Sequence, residues 1–578
     1  MPGLQALPAN SANDRGFEKR DPISASIREI RGKKMPVNFW RPFVFILAVI
    51  GSAGCGRPAT LVETGNRTQV LHRSVGQDLQ DLDPHLATSA ADYNVLSALF
   101  EGLVAEDPVD LHPVPGLAAS WDITDAGLSY TFHLRPEARW SNGDPVTAQD
   151  FANSFKRVLT PALAAPNAPA LYLIRGAEEF HKGRESDFAK VGITVPDAST
   201  LRLTLTHASA SFLAQLNQAV WFPVHLPSIE KHGSATDRAN AWARPGKLVG
   251  NGPFQLEAWR TGQVIVAAKA PTYWDAATVR LAGIQFHTLE GVDVEERAFR
   301  AGQLHVTDAL PAGKIDTYQK ESPEQLRIDP LLSTYFYRLN TAKPALRSAA
   351  VRRALSLGID RNAIVEKILR GGQLPARAFT PPGTAGYTFP VAATDHAAEV
   401  AAARKLLAEA GFPDGRGLPP VELLYNTSDN HRLIAEAIQE MWRRDLGVEV
   451  RLANQEFNST LEARRTGTYD ILRSSWSADY VDPASFLDIF RSDSGNNFTG
   501  WSNPEYDTAL TAAARAATAT ERNALFLKAE ALLLEAAPII PIYHYTHVFV
   551  IRPEVKGWRP TLLDHHPYKA VWLEAAGK

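Results

Sequence analysis

The sequence predicts an α/β protein of two or three domains, on three observations. Between residues 421 and 473, strand-like and helix-like stretches alternate in β-α-β-α-β order, which calls for a lobe with a mainly parallel sheet. The chain has 578 residues. Without the leader described below about 520 remain, more than one hydrophobic core fills. Hydrophobic residues make up 45% and charged residues 21%, the balance of a globular protein. The net charge of −3 gives no electrostatic reason to expect nucleic acid or an acidic membrane surface as a partner.

Residues 1–54 read as an extension and export signal. Basic residues Arg28, Arg31, Lys33, Lys34 and Arg41 lead into the apolar run 43–50, and the small residues Gly51-Ser52-Ala53-Gly54 follow. That run is too short for a spanning helix, which needs about 20 apolar residues. Cys55, the single cysteine, comes next. A cysteine there resembles a bacterial lipobox, in which the thiol is acylated and becomes the mature N-terminus. Ser52 stands where that motif usually has leucine, and an ordinary signal with a chance cysteine is the alternative. Met35 to Cys55 forms a complete signal by itself, so Met35 is a second candidate start. A single cysteine permits neither an internal disulfide nor a thiolate metal cage.

Along the rest of the chain, residues 69–75 read as a strand. Residues 93–99 read as a helix, with Tyr93, Leu96, Leu99 and Phe100 at helical spacing. Leu128, Tyr130, Phe132 and Leu134 alternate with polar residues, as on a half-buried strand. Asn142-Gly143 supplies a hairpin-type turn, and Thr147 to Asp150 a capping box. Thr394 caps a helix that Gly411 ends. Strands are expected at 421–425, 448–452 and 469–473. The helix 431–446 carries Leu433, Ile434, Ala437, Ile438, Met441 and Trp442 on one stripe. A long helix, 519–536, precedes two strands, 539–545 and 548–551.

Several segments together resemble a known family. They are Leu82-Asp83-Pro84-His85, Phe100-Glu101-Gly102-Leu103, Leu117-Ala118-Ala119-Ser120-Trp121, and Thr131 to Arg135 with Trp140 to Asp150. Asn251-Gly252-Pro253-Phe254, Pro271-Thr272-Tyr273-Trp274, Leu424 to Asp429, Trp476 to Tyr480 and Ser492 to Asn497 continue the match. In this order they resemble the extracytoplasmic solute-binding proteins of family 5, in the oligopeptide-binding branch that serves ABC importers. The resemblance implies a two-lobed periplasmic-binding-protein clamp (type II-like) with an additional third domain. After a linker at 55–68, lobe I would comprise 69–100, 224–332 and 545–578. The extra domain would be 101–223 and lobe II 333–544. The implied partners are short peptides, an ABC permease with its ATPases, and a membrane reached by the lipid anchor, with the protein a monomer and no cofactor.

A buried peptide ammonium needs an anionic partner, because an unpaired buried charge is costly. The resemblance assigns that part to Asp479; spacing alone would favour a turn aspartate. It makes Trp476 a cleft wall and Ser475, Ser477 and Ala478 the main-chain edge. Arg464, Arg473 and His431, cationic or potentially cationic, match family positions that meet the peptide carboxylate or order nearby waters, and cations at different depths would serve several peptide lengths. Phe457 replaces a tryptophan pocket wall, and Asn496 and Tyr545 are further candidates. Ser333 and Ser477 match a disulfide pair of close relatives, His305 replaces a frequent aspartate, and Thr88 stands near a position acidic in those relatives.

An enzyme is the rival class. The sequence holds no G-x-S-x-G elbow, H-E-x-x-H, P-loop or G-x-G-x-x-G. His544 and His547, three apart on a strand, face opposite sides and cannot chelate together. Asp564-His565-His566 reads as a satisfied surface cluster. The reading is therefore a binding protein without catalytic or metal residues. The alternatives are a same-fold binder of a murein tripeptide, dipeptide, sugar or metal chelate, and more remotely a secreted hydrolase. If Cys55 is the lipid anchor, Cys55→Ser moves the protein from the membrane to the soluble fraction; fractionation and intact mass check this.

Overall fold

The structure is a computed structural model that describes residues 57–391, 395–516 and 518–574. Cys55 with the leader, and Thr394, lie outside the described residues. No helix among the described residues is long and apolar enough to cross a membrane. From residue 59 onward the chain forms one compact unit.

A four-stranded sheet holds Val70–Ser74, Gly283–His287, Val264–Lys269 and Phe254–Arg260 in that order, with the first pair parallel. The alternating stretch near 130 becomes Ser129–Leu134, whose Tyr130, Phe132 and Leu134 are buried. It sits in a second four-stranded sheet between Ala118–Thr124 and Thr200–Thr204, antiparallel throughout. The capping box at Thr147 and Asp150 starts the helix Ala148–Leu159 as expected. Asn142-Gly143 makes a tight turn beside the single bridge Arg139 to Pro145, so no extended hairpin flanks it.

The third large sheet has six strands: Leu374–Pro375, Ile539–Val550, Leu326–Leu339, Ile471–Ser477, Val421–Asn426 and Val450–Gln455. The β-α-β units pair in parallel as expected. The sheet is nevertheless mixed, because Leu326–Leu339 runs against both its neighbours and Leu374–Pro375 adds an antiparallel edge. The two expected C-terminal strands are one continuous strand, Ile539–Val550. The helix Asp429–Met441 covers one face and Phe457–Thr466 the other, each with its own apolar cluster. Leu433 points outward at 42% exposure, and Ala435 takes the buried place expected for it. Gly447, in the left-handed region, ends the following π-helical turn. The helix His396–Glu409 is capped by Asp395.

The quoted motifs interlock. The Asp83 carboxylate receives a fork from Arg157 at 3.0 and 2.5 Å, and both side chains are buried. The Asn251 side chain exchanges two hydrogen bonds with the Glu101 backbone, and Tyr273 and Trp274 each donate to the Glu101 carboxylate at 2.6 Å. Gly252 is required there: a Cβ would lie 2.6 Å from the Phe100 nitrogen. Asp564-His565-His566 is no surface cluster. Asp564 accepts from His547 and His566, His565 pairs with Glu106, and His566 is 7% exposed. The reason is long-range: the C-terminal turn folds back on the strand carrying His547.

His305 is fully buried, its Nδ1 accepting from the His72 backbone N–H at 3.0 Å. A neutral imidazole thus does what a carboxylate oxygen could do there. His72 also bonds His287 at 3.1 Å. Burial holds all three rings well below the usual histidine range, His72 and His287 at about 4 and His305 at about 3. They are neutral in the fold and basic in the unfolded chain, so the unfolded chain takes up protons first. Their contribution is complete above pH 6.5 and is lost as pH falls toward 4, about 3 kcal/mol for His72 alone. Chemical denaturation should show a steep stability loss between pH 7 and 4.5, and a smaller one in His72→Asn.

Candidate functional site

The site is built along Ile471–Ser477 and the turn that follows it. Ser475 and Ser477 are exposed on the same side of the strand as Arg473. Opposite them on the neighbouring strand stand Tyr335 and Ser333. Ser477 Oγ donates to Ser333 Oγ at 2.9 Å, so a hydrogen bond joins the two serines that replace a cysteine pair. Beyond the strand, the Ala478 N–H bonds the Leu332 carbonyl. Trp476 is half-buried, and its indole N–H donates to the Ser485 carbonyl at 2.6 Å. The Ser485 hydroxyl in turn accepts from the Asp479 N–H at 3.0 Å. Ser485 therefore fixes both the Trp476 indole and the Asp479 backbone.

The Asp479 side chain is exposed and has no hydrogen-bond or ionic partner among the described residues. Nearby protein displaces part of its hydration, which raises its pKa above the ordinary carboxylate range, and no cation counteracts this. An ammonium arriving beside it would supply the missing charge.

On the same sheet face, Arg473 donates to the Tyr545 hydroxyl at 2.9 Å and to Asn426 at 3.4 Å, and lies 4.7 Å from the Tyr335 ring centre. It has no acidic partner among the described residues, and its Nε is buried without a hydrogen bond. His431 stands 5.6 Å from the same Tyr335 ring. Burial, and then the Arg473 charge, hold its pKa near 4, so at neutral pH it offers neutral nitrogens rather than a cation. Of the three groups read as cationic or potentially cationic, His431 is thus neutral at neutral pH.

The structure thus brings Arg473, His431 and Tyr545 together around Tyr335, a residue the sequence reading missed. Its signal was the alternation of Tyr335 and Tyr337 on one strand face. Asn426 was visible only as part of a quoted motif. Arg464 is not with them. It projects from Phe457–Thr466 on the opposite face and lies 5.0 Å from the Phe498 ring centre. Asn496 is exposed, and its carbonyl accepts from Arg338. Phe457 begins its helix at 53% exposure. Among the described residues the one cluster with metal-ligand spacing is the surface group Asp107, Asp110 and His112, far along the chain from this site.

The family model described as bacterial extracellular solute-binding proteins, family 5 (middle) matches residues 112–498. The chain belongs to this family. The periplasmic oligopeptide-binding protein OppA of Escherichia coli is 36% identical over 85% of this chain and 90% of its own length. Among solved structures, the unliganded open form of the periplasmic murein tripeptide-binding protein MppA superposes with a TM-score of 0.77 at 34% identity, covering 88% of this chain and 97% of that one. Haemophilus influenzae OppA in complex with the peptide RPPGFSPFR gives 0.72 at 32% identity, over 88% and 99%. The Escherichia coli OppA and the MppA are named as periplasmic binding proteins, for oligopeptides and for murein tripeptide. In this family member, His431 ring signals should remain those of neutral imidazole from pH 8 to 5 by NMR, and Arg473→Gln should raise the pKa.

Proposed function

We propose that this chain is the substrate-binding component of an ABC importer, capturing short peptides outside the cytoplasm and delivering them to a permease. The observation that carries the reading is the unpartnered Asp479 carboxylate, its backbone fixed by Ser485 at the exposed end of the strand, with a guanidinium at Arg473 that has no ionic partner among the described residues. An extended peptide offers an ammonium, a backbone ladder and a carboxylate, which match these three features in kind. Family membership supports the same reading, since its relatives OppA and MppA are named for oligopeptides and murein tripeptide. Ligands of about three to five residues, extended at about 3.3 Å each, would place their carboxylates at Arg473 or beyond it at His431. Trp476, Ser475, Ser477, Ala478 and Tyr545 would line the path.

The lobes in this reading are 69–100 with 224–332 and 545–578, the extra domain 101–223, and lobe II 333–544. The division of strands among three large sheets supports them. So does the break in pairing register between Pro330 and Thr334, at the inferred crossing from one lobe to the other. Anchoring through acylated Cys55 and a monomeric state belong to the same proposal.

Removing one member of a buried charge pair costs ~2–5 kcal/mol. Asp479→Asn should therefore weaken peptide binding roughly 30- to 3,000-fold. N-acetylation of the peptide should cost a similar amount, and the two losses should not add. Titration calorimetry decides: undiminished affinity for acetylated peptide removes Asp479 from the role.

A further inference from the structure

A pocket of about 250 Å³ opens beside Leu374–Pro375, the edge strand of the six-stranded sheet. Its walls are apolar. Leu374, Pro375, Ala378, Phe389 and Val391 line it, and Leu374 and Val391 are each 48% exposed. The walls are held from behind. Leu374 and Pro375 pair with the strand Ile539–Val550. Arg361 donates to the Ala376 carbonyl at 2.8 Å. The Glu530 carboxylate accepts from the backbone N–H groups of Phe379 and Thr380 and from the Tyr387 hydroxyl. The pocket is therefore preformed, as sites for small molecules usually are.

One imidazole faces this apolar space. His544 lines the pocket, is 5% exposed and pairs across the ladder with Thr334. The Thr334 hydroxyl has one proton, which it donates to the Phe379 carbonyl at 2.8 Å. Toward His544 Nδ1, at 2.9 Å, it can therefore only accept. Nδ1 carries the hydrogen, and Nε2 is left as a lone-pair acceptor with no partner among the described residues. Burial holds the ring's pKa at about 4, so it is neutral at neutral pH. Arg377, at the same pocket, is forked onto Glu399 at 2.9 and 3.1 Å and offers no unpaired charge. His544 sits between Tyr543 and Tyr545, whose rings meet Tyr335, and alternation turns it to the opposite face. Trp476 shares that face two strands away, but its indole N–H is turned to Ser485 and it does not line the pocket.

We propose that this pocket is a second binding site, separate from the peptide path, for a neutral aromatic molecule of one or two rings that carries a single N–H or O–H donor. The size fits: an apolar cavity of about 150 Å³ is enough for benzene, so 250 Å³ takes a bicyclic ring. The Phe389 ring and the aliphatic walls suit an aromatic body. The donor suits His544 Nε2, which gains a hydrogen bond without any change of protonation. A carboxylate suits neither, because the imidazole offers it a lone pair and the walls would strip its water. The site goes beyond the peptide reading and does not depend on it.

The test is calorimetry on the full chain with indole and with indene, the same bicycle with a methylene in place of the N–H. Indole should bind one-to-one with a dissociation constant below about 1 mM, and indene roughly 5- to 30-fold more weakly for want of the hydrogen bond. With isotope-labelled histidine rings, the His544 Nε2 resonance should move from its free lone-pair position toward the protonated one as indole is added. Leu374→Glu changes a half-exposed position and puts a carboxylate at the pocket. It should weaken indole roughly tenfold or more and leave tri-alanine binding unchanged. Saturating tri-alanine should not displace indole. Displacement would place indole in the peptide path and overturn the second site. Absence of indole binding, equal affinity for indole and indene, an unmoved His544 resonance or indifference to Leu374→Glu each overturn it as well. If tri-alanine fails to bind while indole behaves as expected, the peptide reading has failed and this site stands.

Discussion

The pairing of Leu326–Leu339 with Ile539–Val550 is the constraint on which the rest depends. These strands are about two hundred residues apart in sequence, so their ladder closes a long loop of chain. One end of the ladder carries Tyr335 against Tyr543 and sets the ring stack that holds Arg473 and Tyr545. The other end sets Asp329 opposite His547, which is protonated near neutral pH because Asp564 and the Asp308 carbonyl receive its two N–H groups. Between them the register breaks. A broken register in an otherwise continuous pair of strands is a place where the two ends can bend relative to one another with few hydrogen bonds disturbed.

Charge is handled in two opposite ways. In the interior it is satisfied locally: Arg157 forks onto Asp83, Arg522 onto Asp482, and the buried Glu530 carboxylate receives two backbone N–H groups and the Tyr387 hydroxyl. Around Ile471–Ser477, Asp479, Arg473 and Arg464 lack ionic partners among the described residues. Surface charges without partners are common, but half-buried ones are costly unless something completes them.

The motifs that made the family legible serve mostly architecture. Asp83 holds Arg157, and Glu101 holds Asn251, Tyr273 and Trp274 beside the close approach at Gly252. Their side chains were readable as a pattern long before their purpose was. Only the Trp476 to Tyr480 and Leu424 to Asp429 segments join motif and site directly, through Ser485, Asn426 and the open edge of the strand.

The sequence by itself determined what depends on neighbours in the chain. Alternation set Ser129–Leu134, Thr147 and Asp150 capped their helix, Gly447 ended another, and β-α-β order set the parallel half of the large sheet. Resemblance then pointed to Asp479 and Arg473 as site residues. What only the tertiary structure decided depends on residues far apart in sequence. It made the sheet mixed, joined two expected strands into Ile539–Val550, buried His566 and paired it with Asp564, turned Leu433 outward and kept His431 neutral. It also separated Arg464 from Arg473 and gave it Arg338 as a neighbour. Periodicity tells a side chain's face on its own element, but its charge state and its company are set by whatever that face is folded against.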